Sequence, residues 1–400
     1  MATVLMFNFP GEGHVNPTLA LIEELVKRGE EVVYYCVEEY KEKIEKTGAL
    51  FRPYENFLAK VDMLKRMNGE IDPSELLLHM VKSMDKIIKI VIEELKEEKY
   101  DYVIYDNNFA VGWIIAEALH LPKISSCTTF AVTKKLCNAL MNNHNEGDKK
   151  SPLYQEVTHI LEKWQKVYGF SMNEKKNVMT CAGNITIVYT SEFFQPDVEE
   201  LDDSYIFVGP SITSRKDVQE VVFKQKEEEK LIYISMGTVF NQQMDFYYIC
   251  FEAFKNFPAT IILSVGKHID INQLKNIPSN FKVYNYVPQL EVLKQANLFI
   301  THGGMNSSSE SLYFGVPMIV IPVMGDQPIV AQRIEDLKAG IQLNLKKLTP
   351  VILHNTVMEV LSNDVYLENS HKIKCTLKNA GGYIKAAETI ELFKLKTGIK

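Results

Sequence analysis

The sequence predicts an α/β protein with two parallel sheets, each covered by helices. Three observations carry that expectation. Apolar runs of strand length alternate with amphipathic runs of helix length along the whole chain, as they do where helical crossovers join parallel strands. The length of 400 residues exceeds what one hydrophobic core usually holds. Each half also carries a glycine-bearing strand-to-helix turn, one within "VLMFNFPGEGHVNPTLALIEEL" and one within "LFITHGGMNSSSESL".

In the first half, Val4–Phe9, Glu31–Cys36, Tyr102–Tyr105, Lys123–Ser126 and Ile185–Tyr189 read as strands. Several are rich in Val, Ile and Tyr, which suit strands buried on both faces. Leu76–Leu95 reads as a long helix. In the first turn, Gly11 and Gly13 permit close backbone approach, and Asn16 followed by Pro17 reads as an N-cap and first helical residue. The polar segment "NNHNEGDKKSP", from Asn142 to Pro152, is expected to be a mobile loop. In the second half, "LIYIS", "TIILSVG", "FKVYNY", "LFITH" and "MIVIP" read as strands, and "GGYIKAAETIELFKLKTG" as a C-terminal helix. The irregular stretch "QPDVEELDDSYIFVGPSITSRKD" and the charge run "KQKEEEK" place the domain boundary between Phe193 and Glu229. The expected division is a domain over 1–205, a linker over 206–230, a domain over 231–380 and a terminal helix over 381–400.

Composition narrows the function classes. At 46% hydrophobic and 24% charged residues, the chain has the make-up of an ordinary globular protein. A net charge of -7 argues against a nucleic-acid partner, because phosphate binding needs clustered excess base. The six cysteines (Cys36, Cys127, Cys137, Cys181, Cys250, Cys375) form no Cys-x-x-Cys pair, so reduced thiols in a cytoplasmic protein are expected. The apolar start lacks a basic leader pattern, no apolar run is long enough to span a bilayer, and no basic amphipathic face stands out to dock on one.

His14 is expected at the C-terminal edge of the first sheet, where ligands bind in open α/β folds. A dinucleotide-binding turn is disfavoured because Asn16 stands in place of the third glycine and the imidazole would crowd a pyrophosphate. Asp106 follows the strand from Tyr102 at the same edge. By accepting from one ring nitrogen, Asp106 would leave the other to remove a hydroxyl proton, and would stabilise the resulting imidazolium. Taken singly, Asp106 also reads as a cap for the segment near Phe109, and His14 as a loop side chain bonded to backbone. Together at matching strand ends they favour a catalytic pair.

The second half carries the denser pattern. After "LFITH", Gly303 and Gly304 allow close approach, and Asn306 and Ser307 open a helix whose unpaired amides and dipole suit an anion. His302 is placed to donate to the same oxygens. Glu310 is expected in the first helical turn, where a carboxylate can accept from both ribose hydroxyls; Ser307 with Glu310 also reads as a capping box. Asp326 and Gln327 supply acceptor and donor groups suited to sugar hydroxyls, and Gly237 with Thr238 ends the half's first strand in a second loop able to contact phosphate.

The pattern Tyr286-Val287-Pro288-Gln289, His302-x-Gly304-x-Asn306-Ser307-x-x-Glu310, Gly315-Val316-Pro317, Pro322 and Asp326-Gln327 resembles the signature of family 1 UDP-sugar-dependent glycosyltransferases. That family includes plant secondary-product enzymes and bacterial macrolide glycosyltransferases, and "GEGHVNPTLAL" with Asp106 is similar to the acceptor half of the bacterial members. The resemblance implies a GT-B architecture, two Rossmann-like domains facing across a cleft, acceptor on the first and nucleotide sugar mainly on the second. It implies Tyr286 near the uracil, Val287 offering backbone groups to it, and Glu310 on the ribose. Thr238, His302, Asn306 and Ser307 would hold the diphosphate, with Gly304 and Gln289 in the same donor site; Asp326 and Gln327 would orient the glucosyl group. His14 would be the general base, with Asp106 behind it. Plant members usually carry tryptophan where Tyr286 and Met305 stand, so weaker ring stacking is implied.

The expected reaction is displacement with inversion, moving glucose from UDP-glucose to a hydroxyl of a hydrophobic small molecule of macrolide or flavonoid type. No Asp-x-Asp occurs anywhere, so metal-independent catalysis without a further cofactor is expected, helix dipole and His302 replacing the cation. Met63, Met67, Met80 and Met84 with Leu76–Leu78 read as core more than as a pocket lining; Phe109 and Phe130 are candidate pocket walls. A monomer without nucleic-acid or stable membrane partners is expected. A nucleotide-sugar epimerase or a binding-only protein of the same fold are the competing readings.

Overall fold

The computed structural model describes residues 1–61, 72–141, 151–170, 181–213, 229–238, 241, 243–267 and 269–399. Contacts divide the chain into two units, Met1–Ser211 with Ala380–Lys400, and Ile212–Asn379.

The first unit is built on β1 (Thr3–Phe7), β2 (Glu31–Cys36), β3 (Leu50–Pro53), β4 (Tyr102–Asp106), β5 (Lys123–Cys127), β6 (Ile185–Val188) and β7 (Tyr205–Phe207). They form one sheet in the order β3-β2-β1-β4-β5-β6-β7, every pair parallel. Its helices are α1 (Glu12–Lys27), α2 (Lys41–Glu45), α3 (Pro73–Glu94), α4 (Ala110–Ala118), α5 (Lys134–Met141) and α6 (Pro152–Tyr168). Aromatic-rich β1, β2 and β4 are buried almost throughout, as strands covered on both faces require. Asp72 caps α3 through Ser74 N and Pro73 opens it; Leu78, Val81, Met84, Ile88 and Val91, at helical spacing, form its buried stripe. Met80 and Met84 therefore belong to the core, while Met63 and Met67 lie outside the described residues.

The second unit holds β8 (Lys230–Ser235), β9 (Ala259–Ser264), β10 (Phe281–Tyr284), β11 (Leu298–Thr301), β12 (Met318–Val320) and β13 (Gly340–Gln342), again all parallel, in the order β10-β9-β8-β11-β12-β13. Its helices are α7 (Met244–Phe254), α8 (Gln289–Leu293), α9 (Met305–Phe314), α10 (Gln327–Asp336), α11 (Pro350–Ser362) and α12 (Asp364–Asn379). The last helix, α13 (Gly382–Thr397), returns to the first unit. There Gly382 N donates to Val208 O at 2.6 Å, Arg28 pairs with Glu391 at 2.9 Å and Lys394 pairs with the buried Glu30.

Each sheet reverses its winding once. In the first, the chain passes from β1 outward through β2 and β3 and returns to β4 on the other side of β1; in the second, β8 and β11 bracket the same reversal. The C-terminal ends of these strand pairs are where a doubly wound sheet opens a crevice.

The structure corrects several sequence-based boundaries. β3, β7 and β13 were not expected: they span 4, 3 and 3 residues, too short for alternation to register, and neighbouring strands supply their order. β7 lies across the expected 205/206 boundary, so the first unit runs on to Ser211; most of the expected linker, 214–228, is outside the described residues, as is 142–150 of the expected loop. Helix α1 starts with Gly11, not Asn16, as its cap, so His14 lies in the first helical turn and Pro17 inside the helix. The Gly11 carbonyl accepts from both His14 N and Val15 N at 2.9 Å and closes the turn before Pro17 is reached. Asp106 is the last residue of β4 and does not follow it.

None of the six cysteines forms a disulfide, and burial pushes the Cys36 and Cys127 thiols up to about 12, which keeps them protonated. Among the described residues, no helix is long and apolar enough to cross a membrane.

Helix α4 rests on the sheet at Gly112, where a Cβ would lie 2.4 Å from Tyr105 Cβ and 2.8 Å from Phe7 Cβ. Gly112→Ala is therefore expected to destabilise the protein by about 2 kcal/mol through overpacking, read as a lower denaturant midpoint at unchanged slope.

Candidate functional site

His14 and Asp106, 92 residues apart in sequence, meet at the β1/β4 reversal, with Nδ1 of the ring 2.7 Å from Asp106 Oδ2. Asp106 is fully buried, whereas the His14 side chain is 20% exposed. A carboxylate can only accept, so in the neutral ring Nδ1 carries the proton and Nε2 is the basic nitrogen. The other carboxylate oxygen, Oδ1, accepts from Asn108 N at 2.8 Å. Asp106 is not the cap of α4, which is Phe109; one of its oxygens bonds the turn before that helix and the other bonds the imidazole. Thr128 Oγ1 lies 3.2 Å from Nδ1, and the Phe9 ring packs on His14 at 4.8 Å.

The backbone under His14 is tied down by a buried polar network that sequence reasoning missed. Asn8 Nδ2 donates to His14 O at 3.0 Å and to Tyr34 OH at 2.6 Å, Thr18 Oγ1 donates to Val15 O at 2.8 Å, and Tyr54 OH donates to Asn8 O. Asn8, Thr18 and Tyr34 are fully buried. Their signal in sequence was only a polar residue, Asn8, at the end of an apolar strand. Phe109 and Phe130 are buried as well: Phe109 packs among Phe9, Tyr54 and Phe57, and Phe130 against Phe194.

In the second unit the predicted donor residues gather at the carboxyl ends of β8, β10, β11 and β12. Gly304, extended at φ -61 and ψ 138, caps α9, which places Asn306 and Ser307 in its first turn and Glu310 in the second. Ser307 is therefore not the cap, and the capping-box reading fails. Instead Gln289 Nε2 donates to Glu310 Oε2 at 2.7 Å and to Ser307 Oγ at 3.3 Å. The first-turn amides of α9 and its positive dipole end are the features of an anion site.

His302 follows β11 and is held between two glycines. A Cβ on Gly237 would lie 2.5 Å from its Cε1, and one on Gly304 2.6 Å from its Nε2. Burial drives its pKa down to about 4, so at neutral pH it is an uncharged hydrogen-bonding group and not a cation. As a neutral ring it can replace a cation only as a hydrogen-bond donor, not as a charge.

The remaining residues surround this centre unevenly. Thr238 is exposed just beyond β8, Tyr286 is 59% exposed, and Val287 is buried. Asp326 is half-buried at the head of α10. Gln327 is buried, and its Oε1 accepts from Val323 N at 2.8 Å and Met324 N at 3.2 Å, so this side chain shapes the loop after β12.

The neutral, buried state of His302 has a measurable consequence. Between its folded value of about 4 and an unfolded value near 6.5 the unfolded chain binds more protons, so this contribution to stability is complete above pH 6.5 and is lost as pH falls toward 4. Denaturant titrations from pH 7 to pH 4 are expected to show a loss of stability that is smaller in His302→Gln.

Comparisons with known proteins bear on the family and the fold. A profile of the family described as "UDP-glucoronosyl and UDP-glucosyl transferase" matches residues 188–379. An uncharacterized UDP-glucosyltransferase of Bacillus subtilis (strain 168), YojK, is 43% identical over 401 residues, covering 99% of each chain. The oleandomycin glycosyltransferase of Streptomyces antibioticus is 26% identical, over 98% of this chain and 90% of its own. Among solved structures, the glycotransferase of kitacinnamycin superimposes with a TM-score of 0.87 at 28% identity, over 98% of both chains. The chain belongs to the family 1 UDP-glycosyltransferases and has their GT-B fold, two Rossmann-like parallel-sheet domains.

Proposed function

We propose that the protein is an inverting, metal-independent glycosyltransferase that moves glucose from UDP-glucose to a hydroxyl of a hydrophobic small molecule, of macrolide or flavonoid type. The observation that carries this reading is the 2.7 Å contact between the partly exposed His14 and the fully buried Asp106. A donor-binding protein needs no imidazole so oriented, and the place of the pair at the strand ends of the first unit, which carry none of the donor motif, speaks against an epimerase acting on the donor alone. In this reading His14 Nε2 takes the acceptor proton as the oxygen forms its bond to the anomeric carbon. The bond from that carbon to the diphosphate breaks, its electron pair leaves with UDP, and the configuration inverts. Asp106 holds the tautomer and stabilises the imidazolium.

The departing charge is assigned to the first-turn amides of α9, the side chains of Asn306 and Ser307, Thr238, and neutral His302 as a donor. Close approach at Gly304 suits that role. Tyr286 is assigned to the uracil face, Val287 to backbone contacts with it, Gln289 and Glu310 to the ribose, and Asp326 and Gln327 to the sugar. The absence of Asp-x-Asp in the sequence supports diphosphate binding without a divalent ion. The macrolide enzyme of Streptomyces antibioticus supports the acceptor class. We further assign a cytoplasmic monomer that needs no bound cofactor.

Mass spectrometry of products from UDP-glucose and a panel of phenolic and macrolide acceptors is expected to show a mass gain of one hexosyl group, undiminished in excess EDTA; loss of product on chelation rejects metal independence. His14→Ala is expected to lower kcat/KM by roughly 10²–10⁴-fold while UDP affinity, read by calorimetry, stays within about twofold. Unchanged turnover removes His14 from the chemistry.

A further inference from the structure

We propose that Tyr233 is a positioning residue that sets the protein's preference for a ribose over a deoxyribose nucleotide, acting through Gln289 on Glu310. The inference rests on the reading of Glu310 as the ribose-holding group.

The geometry is a chain of three side chains with one possible sense. Tyr233 OH donates to Gln289 Oε1 at 3.1 Å, and Gln289 Nε2 donates to Glu310 Oε2 at 2.7 Å and Ser307 Oγ at 3.3 Å. A carboxylate accepts only, so Glu310 requires the NH2 end of the amide, which turns the carbonyl end toward Tyr233 and makes the phenol the donor. Reversing the amide would set its oxygen against the Glu310 carboxylate and lose that contact, while the phenol, which accepts as well as donates, would still be bonded. The carboxylate thus selects the amide orientation, the hydroxyl of Tyr233 anchors the amide by donating to its oxygen, and the amide in turn holds one oxygen of Glu310.

Tyr233 is itself immobile. It is 1% exposed, it lies on β8 directly opposite Phe299 of β11 in the sheet register, and the two rings stack at 4.7 Å with 7° between planes. Its hydroxyl reaches Gln289 from the strand that precedes Gly237 and Thr238. The strand at the winding reversal is therefore linked by one side chain to the carboxylate assigned to the ribose.

The test compares binding of UDP and 2′-deoxy-UDP by calorimetry in the full-length protein and its variants. The unmodified protein is expected to prefer UDP, and Glu310→Gln to remove most of that preference. Tyr233→Phe, isosteric but without the donor, is expected to narrow the preference roughly tenfold, the scale of a hydrogen bond supporting a charged group. It is also expected to raise KM for UDP-glucose while leaving kcat at saturation within about twofold. Because Tyr233 acts through the amide, adding Tyr233→Phe to Gln289→Met is expected to cause no further loss. Thermal unfolding verifies that each variant is folded; should Tyr233→Phe not fold, Gln289→Met alone is expected to narrow the preference equally. An unchanged preference in Tyr233→Phe, or in Gln289→Met where that variant stands in, with Glu310→Gln still removing it, overturns the role of Tyr233 and spares the ribose assignment. No preference in the unmodified protein, or no effect of Glu310→Gln, overturns the ribose assignment and the inference with it.

Discussion

The turn after β1 and the end of β4 depend on one hydrogen bond between a partly exposed imidazole, His14, and a fully buried carboxylate, Asp106. Burying Asp106 without partners would be costly, and the structure meets that cost with one bond to each oxygen, from Asn108 N and from His14 Nδ1. The same arrangement that satisfies the carboxylate decides which ring nitrogen is basic. Satisfaction of the carboxylate and choice of the imidazole tautomer are thus served by a single contact, and its geometry is set by the β1/β4 pairing, where Phe7, the last residue of β1, is the register partner of Tyr105.

His14 is kept in place from below as well as from the side. Its carbonyl accepts from Asn8, whose own amide is held by Tyr34, while Thr18 back-bonds to Val15. These buried groups are polar, satisfied and connected, a combination that rigidifies a short turn more than apolar packing does. The helix can therefore begin at Glu12 and carry Pro17 inside it, a position where proline ordinarily breaks the ladder.

The second unit handles charge differently. His302, packed against two glycines, is pressed into the neutral form by burial. Positive potential for an anion is left to the head of α9, whose dipole needs no proton and does not vary with pH. The two histidines at strand ends thus differ in what surrounds them: one is poised against a carboxylate, the other is desolvated.

Much of this was legible in residue order. The alternation of apolar runs, the glycine turns, and the positions of His14, His302, Asn306, Ser307 and Glu310 after strands all follow from local spacing, because backbone periodicity and turn chemistry act over a few residues. The second-unit motif was also specific enough to indicate the family. Short edge strands were not legible, since three or four residues carry too little pattern and take their place from neighbours. Nor was the true start of α1, which a glycine carbonyl and the Asn8 network decided against the Asn16-Pro17 signal.

By itself, then, the sequence determined which residues stand at strand ends and which turns admit a close ligand. Only the tertiary structure decided who their partners are: Asp106 for His14 across 92 residues, Gln289 between Tyr233 and Glu310, burial for His302. The physical reason is that side-chain pairing across a sheet depends on strand order, and strand order is chosen by how the whole chain packs its crossovers, which no local spacing records.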